Sequence, residues 1–293
     1  MLGEIRGEVR FKEPLSFHTS LRIGGPADIF IVPQDVEDIR LALSFAEREQ
    51  LSLDVIGGGN NLLVSDRGVR GVVLKLEGCL GRAEFNGEEA VAGAGVSLSA
   101  LIREAAALNL GGIECLVGVP ATVGGAVAMN AGTQDGGIAD FISAVYFLYP
   151  DGTLGEFKPG NGSYSYNVFT PPAKSVLIGA RLQLHRRPFA EIQKDIKQRL
   201  KQKKSTQPLA LASVGCVWKK PPGETATRLI EKVGLKGKRL NGAEISAKHA
   251  NFIVNRGGAA SADIKALMQL TLDRVRNHFG ITLEPEMKTM GEI

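Results

Sequence analysis

The chain has 293 residues, 44% of them hydrophobic and 23% charged, an ordinary globular composition that excludes a disordered tail or a long coiled coil. At about 150 residues per domain, two domains are the starting expectation. Thirty-five Lys and Arg against 31 Asp and Glu leave a formal charge of +4, a mild excess that suits small anionic ligands and does not point to a nucleic-acid partner.

Residues 27–33 read as a strand ended by Pro33. A helix follows, with Asp35 as N-cap, Asp38 three residues on, and Val36, Ile39 and Leu43 on one face. A strand at 53–56 runs into GGGNN at 57–61, then LLV, then a strand at 71–76. Residues 89–92 form a further strand. Ser97 caps a helix carrying Leu98, Leu101, Ile102 and Ala105, which Gly111 and Gly112 stop. Strands at 144–150 and 175–184 close this half, and residues 185–188 (HRRP) form a linker. Beyond it come a basic helix over 190–204, a strand VGCVWKK, a helix over 224–233, strands at 243–246 and 251–255, and a helix over 261–279 capped by Ser261 and ended by Gly280. This mixture predicts an α+β chain.

Cys79, Cys115 and Cys216 are dispersed and odd in number, which argues against a disulfide framework or a zinc site, so no metal is expected. The opening MLGEIRGEVRFKE has no apolar signal core, so the cytoplasm is the expected location. The uncharged stretch from Cys115 to Gln134 is interrupted by Pro120, Asn130 and four glycines, so a buried loop region is expected there and no membrane association.

Glycine makes up 36 of 293 residues, about 12% against an average near 7%. The glycines cluster. GGGNN sits at a strand end, where backbone N–H groups can approach a diphosphate without a Cβ in the way. It is not a dinucleotide fingerprint of the Rossmann kind, because residue 62 is Leu where a third glycine belongs. A plain tight turn explains GGGNN equally well on its own. GVPATVGGAVAMNAG at 118–132 is small, apolar and nearly uncharged, suited either to a wall for a flat cofactor or to a close-packed core loop. Two such segments in one chain favour a dinucleotide site.

Six segments then carry a resemblance that covers nearly the whole chain: Thr19 and Ser20 with RIGGPAD (22–28), VIGGGNNLLV (55–64), GVPATVGGAVAMNAG (118–132), VGCVWKKPPG (214–223), GAEISAKHANFIVN (242–255) and LEPEMKTMGE (283–292). In this order they resemble the UDP-N-acetylenolpyruvoylglucosamine reductases, and the short spacing between Tyr166 and Cys216 resembles the subclass without an extra substrate-clamping loop. The resemblance implies a two-subdomain FAD-binding fold of the vanillyl-alcohol-oxidase type, at 1–76 and 77–188, and a C-terminal α+β substrate-binding domain at 189–293. It implies FAD as cofactor, NADPH as reductant, and a UDP-sugar enolpyruvyl ether as substrate, in peptidoglycan precursor synthesis.

The same resemblance assigns residues. Gly57, Gly58, Gly59, Asn60, Asn61, Thr122, Gly124 and Gly125 fall on the cofactor segments. Cys216 stands where the family usually has a proton-donating Ser, and a thiol is the stronger acid of the two. Glu286 matches the family's catalytic glutamate. Asn167, after Tyr166, stands where the family has an Arg. It can donate a hydrogen bond to a carboxylate but brings no charge and no bidentate fork. Lys220 and Tyr166 fall on the substrate side, with Lys219, Lys248 and His249 as weaker candidates. Trp218 is expected in the core and the basic helix on a solvated face. Two other readings stay open: an FAD oxidoreductase of this fold with another substrate, and a sugar-nucleotide or flavin-binding protein with impaired catalysis.

Overall fold

The computed structural model describes residues 2–76, 78–158, 172 and 174–292. The chain divides into two compact units. The first comprises 1–11, 29–58 and 71–202, and the second 12–28, 59–70 and 203–293.

In the first unit a five-stranded antiparallel sheet runs in the order Leu154–Phe157, Ile142–Leu148, Val176–Gln183, Glu89–Gly93, Ala83–Asn86. A four-stranded sheet has the order Glu8–Pro14, Pro26–Val32, Val69–Lys75, Leu53–Ile56, and its last pair is parallel, with Leu53 opposite Val72 and Ile56 opposite Lys75. Helix α1 (Val36–Arg48) begins as expected, with the Asp35 carboxylate accepting from the N–H groups of Glu37 and Asp38. It buries Ile39, Leu41, Ala42, Leu43 and Ala46. Helix α2 (Leu98–Ala107) buries Leu98, Leu101, Ile102, Ala105 and Ala106, but Ser97 caps nothing; its hydroxyl bonds that of Ser99 instead. The helix also stops before the expected Gly111 and Gly112, because Asn109 has already turned left-handed (φ 56°). The glycine-rich segment expected as loop contains a short helix, α3 (Val123–Ala128), whose N-cap Thr122 accepts from Gly125 N–H at 3.2 Å. Helix α4 (Phe189–Thr206) buries only Ile192 and Ile196, which leaves its basic face in solvent.

In the second unit an antiparallel sheet runs Ala212–Cys216, Phe252–Asn255, Ala243–Ile245, Arg239–Leu240. Lys288–Met290 lies parallel to Leu62–Val64. Helices α5 (Ala226–Lys232) and α6 (Ser261–Phe279) cover a core of Trp218, Leu229, Ile230, Ile253, Ile264, Leu267 and Val275. Gly280 ends α6 in the left-handed conformation, as expected. Ser261 is not the cap. Asp263 accepts from Ala260 N–H at 2.9 Å, and Ser261 Oγ donates to Asp66 Oδ2 at 2.8 Å. Among the described residues no helix is long and apolar enough to cross a membrane.

Candidate active site

The second unit brings Cys216 and Glu286 into one neighbourhood. Cys216 ends the strand Ala212–Cys216 opposite Phe252, after a shift of register between Ser213 and Cys216. Gly215 takes φ 82° within that shift, a conformation that side chains resist. Ser20 Oγ donates to the Ser213 carbonyl at 2.7 Å and secures the beginning of the strand. Beyond Cys216 the chain leaves this sheet and pairs with the segment before the C-terminus. Glu286 N–H donates to the Val217 carbonyl at 2.8 Å, Lys219 N–H donates to the Glu284 carbonyl at 2.9 Å, and Trp218 bridges Pro285. The buried Trp218, 2% exposed, anchors this crossing as the expected core residue.

The electrostatics raise both acids. Burial, and then the Glu286 charge, push the Cys216 thiol up to about 12, while a hydrogen bond from the Asn251 side chain and the Lys203 ammonium act the other way. The Glu286 carboxyl is raised by burial, against the Lys219 ammonium. A thiol so far above neutral pH is fully protonated and can deliver its proton, but is a poor resting nucleophile. A carboxyl raised by burial holds its proton more readily than an exposed one and can serve as a proton carrier.

The glycine segments have structural duties of their own. A Cβ on Gly57 would stand 2.3 Å from Thr122 Oγ1, and one on Gly59 (φ 63°) would stand 2.0 Å from the His18 carbonyl oxygen. Within the first unit, Gly124 lies so close to Ala94 that an added Cβ would reach its Cβ at 2.8 Å, whereas at Gly125 the nearest atom is Thr122 Oγ1 at 3.4 Å. Asn130, just past α3, has a buried Oδ1 without a partner among the described residues. An acceptor in that condition calls for a donor from water or ligand, and FAD carries several, so the residues around α3 fit this cofactor. In the second unit Asn61 uses its carboxamide on the protein. Its Nδ2 donates to the Glu286 carbonyl at 3.2 Å, and its own carbonyl accepts from Lys288 N–H at 3.0 Å.

The other candidates separate. Lys220 is exposed beside Pro221. Lys219 pairs with Glu284 at 3.2 Å, and Lys248 Nζ donates to the Lys204 carbonyl at 2.5 Å, at the end of α4. His249 stands edge-on to Phe252 with ring centres 4.7 Å apart; burial lowers its pKa and its Nδ1 has no partner. Tyr166 and Asn167 lie outside the described residues. Asn251 is the residue that sequence reasoning missed. It is 6% exposed, and it grips the backbone just beyond Cys216. The only signal for it was a polar residue directly preceding the apolar run FIV within one of the six segments.

Comparison with known proteins bears on both units. Residues 27–158 match a family described as an FAD binding domain, and residues 207–290 match one described as the C-terminal domain of UDP-N-acetylenolpyruvoylglucosamine reductase. The reductase of that name from Anaeromyxobacter sp. is 42% identical, over 98% of this chain and 90% of the relative. One from Symbiobacterium thermophilum is 39% identical, over 97% and 93%. A crystal structure of UDP-N-acetylenolpyruvylglucosamine reductase from Thermus caldophilus superposes with a TM-score of 0.83 at 35% identity, covering 98% of this chain and 99% of that one. The expected FAD-binding fold with a C-terminal substrate-binding domain is therefore present.

Proposed function

The chain belongs to the UDP-N-acetylenolpyruvoylglucosamine reductase family, and from that premise we propose that it reduces the enolpyruvyl ether of UDP-N-acetylglucosamine to UDP-N-acetylmuramate, with NADPH as reductant. It is an FAD-dependent oxidoreductase of peptidoglycan precursor synthesis. The observation that carries the proposal is the pairing of Val217 with Glu286, which brings a protonated thiol and a raised carboxyl together.

The chemistry that FAD supplies when bound is hydride transfer, from the nicotinamide to the terminal vinyl carbon of the substrate. Thr122, Gly124 and Gly125, with Gly57 and Gly58, are the proposed cofactor residues of the first unit. Gly59, Asn60 and Asn61, considered by themselves, are those of the second. Cys216 Sγ then gives its proton to the carbon bearing the carboxylate, where negative charge develops. Glu286 orients that charge from the neighbouring segment and returns a proton to the site. Lys220, Tyr166 and Asn167 are the proposed substrate contacts, Asn167 in the family's Arg position. The cytoplasm is the proposed location, with no membrane or nucleic-acid partner.

The test separates the half-reactions. Cys216→Ala should leave anaerobic reduction of bound flavin by NADPH unchanged and slow its reoxidation by the enolpyruvyl ether about 100-fold or more. Cys216→Ser should retain part of the rate. Reoxidation at the unaltered rate in Cys216→Ala removes the thiol from the reaction. A wild-type flavin that NADPH reduces but this ether never reoxidises replaces the substrate proposed here with another.

A further inference from the structure

Asn251 lies at the residue before the strand Phe252–Asn255, next to the pairing partner of Cys216. Three of its groups hold one short stretch of backbone. Trp218 N–H donates to Asn251 Oδ1 at 2.9 Å, Asn251 Nδ2 donates to the Trp218 carbonyl at 2.9 Å, and Val217 N–H donates to the Asn251 carbonyl at 2.9 Å. The carboxamide thus satisfies both backbone polar groups of Trp218, at a point where the chain has left the sheet and has no ladder partner on that side. The stretch so held has Cys216 immediately before it and the Glu286 strand against it, through Val217 O and Lys219 N–H. A shift at 217–218 would displace both acids.

We infer that Asn251 is a positioning residue for the proton donor: its carboxamide holds Trp218 and its backbone carbonyl holds Val217, so that the Cys216 thiol and the Glu286 carboxyl keep their spacing. This rests on the proton-donor reading of Cys216 given above. The same side chain also acts on the Cys216 thiol in the acidic direction, as does Lys203 on α4, against burial and the Glu286 charge. A mainly structural Asn would need only the two bonds to Trp218. A group that makes the thiol more acidic favours the thiolate, the form that exists only after proton transfer.

Two variants and two readouts test the inference in the FAD-loaded protein. Asn251→Ala should slow reoxidation of reduced flavin by the enolpyruvyl ether about 10- to 100-fold, while flavin reduction by NADPH and the KM for the ether stay within about threefold. Alkylation of Cys216 by iodoacetamide, followed on its own peptide by mass spectrometry across pH, should move to higher pH. Asn251→Asp keeps the acceptor for Trp218 N–H, loses the donor and adds a charge, so its alkylation curve should move further still. It also serves if the Ala variant fails to fold. An unmoved alkylation curve in a folded variant, or an unaltered reoxidation rate, overturns the role of Asn251. Cys216→Ala run in parallel keeps the two claims apart. If it too reoxidises normally, the reading of Cys216 has failed; if only the Asn251 variants do, the present inference alone has failed.

Discussion

Glu244 and Glu286 belong to the same unit and are both taken partly or wholly from water, yet their surroundings give them opposite chemistry. Glu244 is 2% exposed on the strand Ala243–Ile245, and it accepts from Arg256 Nε and Nη2, at 3.0 and 2.9 Å, and from Arg239 Nε. Arg256 first and Arg239 second hold its carboxyl below the ordinary range in spite of burial. Glu286 is raised by burial, and the one cation opposing that, Lys219, already bonds Glu284. Two guanidiniums lock Glu244 in one charge form, so it can tie its strand down but cannot exchange a proton. Glu286 is left able to change its protonation, which a group in proton transfer must do.

Exchanging each carboxylate for its amide gives the largest contrast. Glu286→Gln should slow flavin reoxidation by the enolpyruvyl ether about 100-fold or more with the fold intact, as stopped-flow absorbance would read. Turnover within threefold of wild type would sink the distinction. Glu244→Gln should lose about 1.5–3 kcal/mol of unfolding free energy, because two guanidiniums lose their anionic partner and one of its two acceptor oxygens, while the rate per folded molecule changes less than threefold. Urea denaturation beside the same rate measurement checks both halves.

The pH dependence of stability sharpens the contrast. Glu286 is raised in the folded protein, so its contribution is fully present below the ordinary carboxylate range and is lost as pH rises through the raised value. Glu244 is lowered, so its contribution is present above the ordinary range and is lost as pH falls through the lowered value. Glu286→Gln should therefore flatten the loss of stability between acid and neutral pH, and Glu244→Gln should flatten the loss at the acid end. The reverse assignment in a pH series of urea titrations would break the comparison. The smallest effect expected is that of Lys219→Met. With the opposing ammonium gone, the pH limb of flavin reoxidation that reports Glu286 should move to higher pH, and a move to lower pH would contradict the arrangement.

Much of the outline was legible beforehand because its signals are local. Asp35 is a side-chain acceptor placed just ahead of an apolar period, and Gly280 follows the last apolar turn of α6, so both ends read correctly. Ser97 and Ser261 carry the same kind of hydroxyl but use it elsewhere, Ser97 in a hydrogen bond shared with Ser99 and Ser261 in one donated to Asp66, and the cap failed at both. Gly57 and Gly59 stood out by composition, and the Thr122 hydroxyl and the His18 carbonyl against them could be found only in three dimensions.

What the amino-acid order determined by itself was the longer helices and the central strands, the family segments, and the thiol at position 216. Periodicity, caps and motif spacing act over a few residues and survive without any knowledge of neighbours. The tertiary structure alone decided that Val217 meets Glu286, that the Asn61 amide holds the same strand, and that Asn251 grips Trp218. Whether a thiol or a carboxyl keeps its proton depends on the water removed and the charges brought near, and the fold sets both by joining segments that lie far apart along the chain.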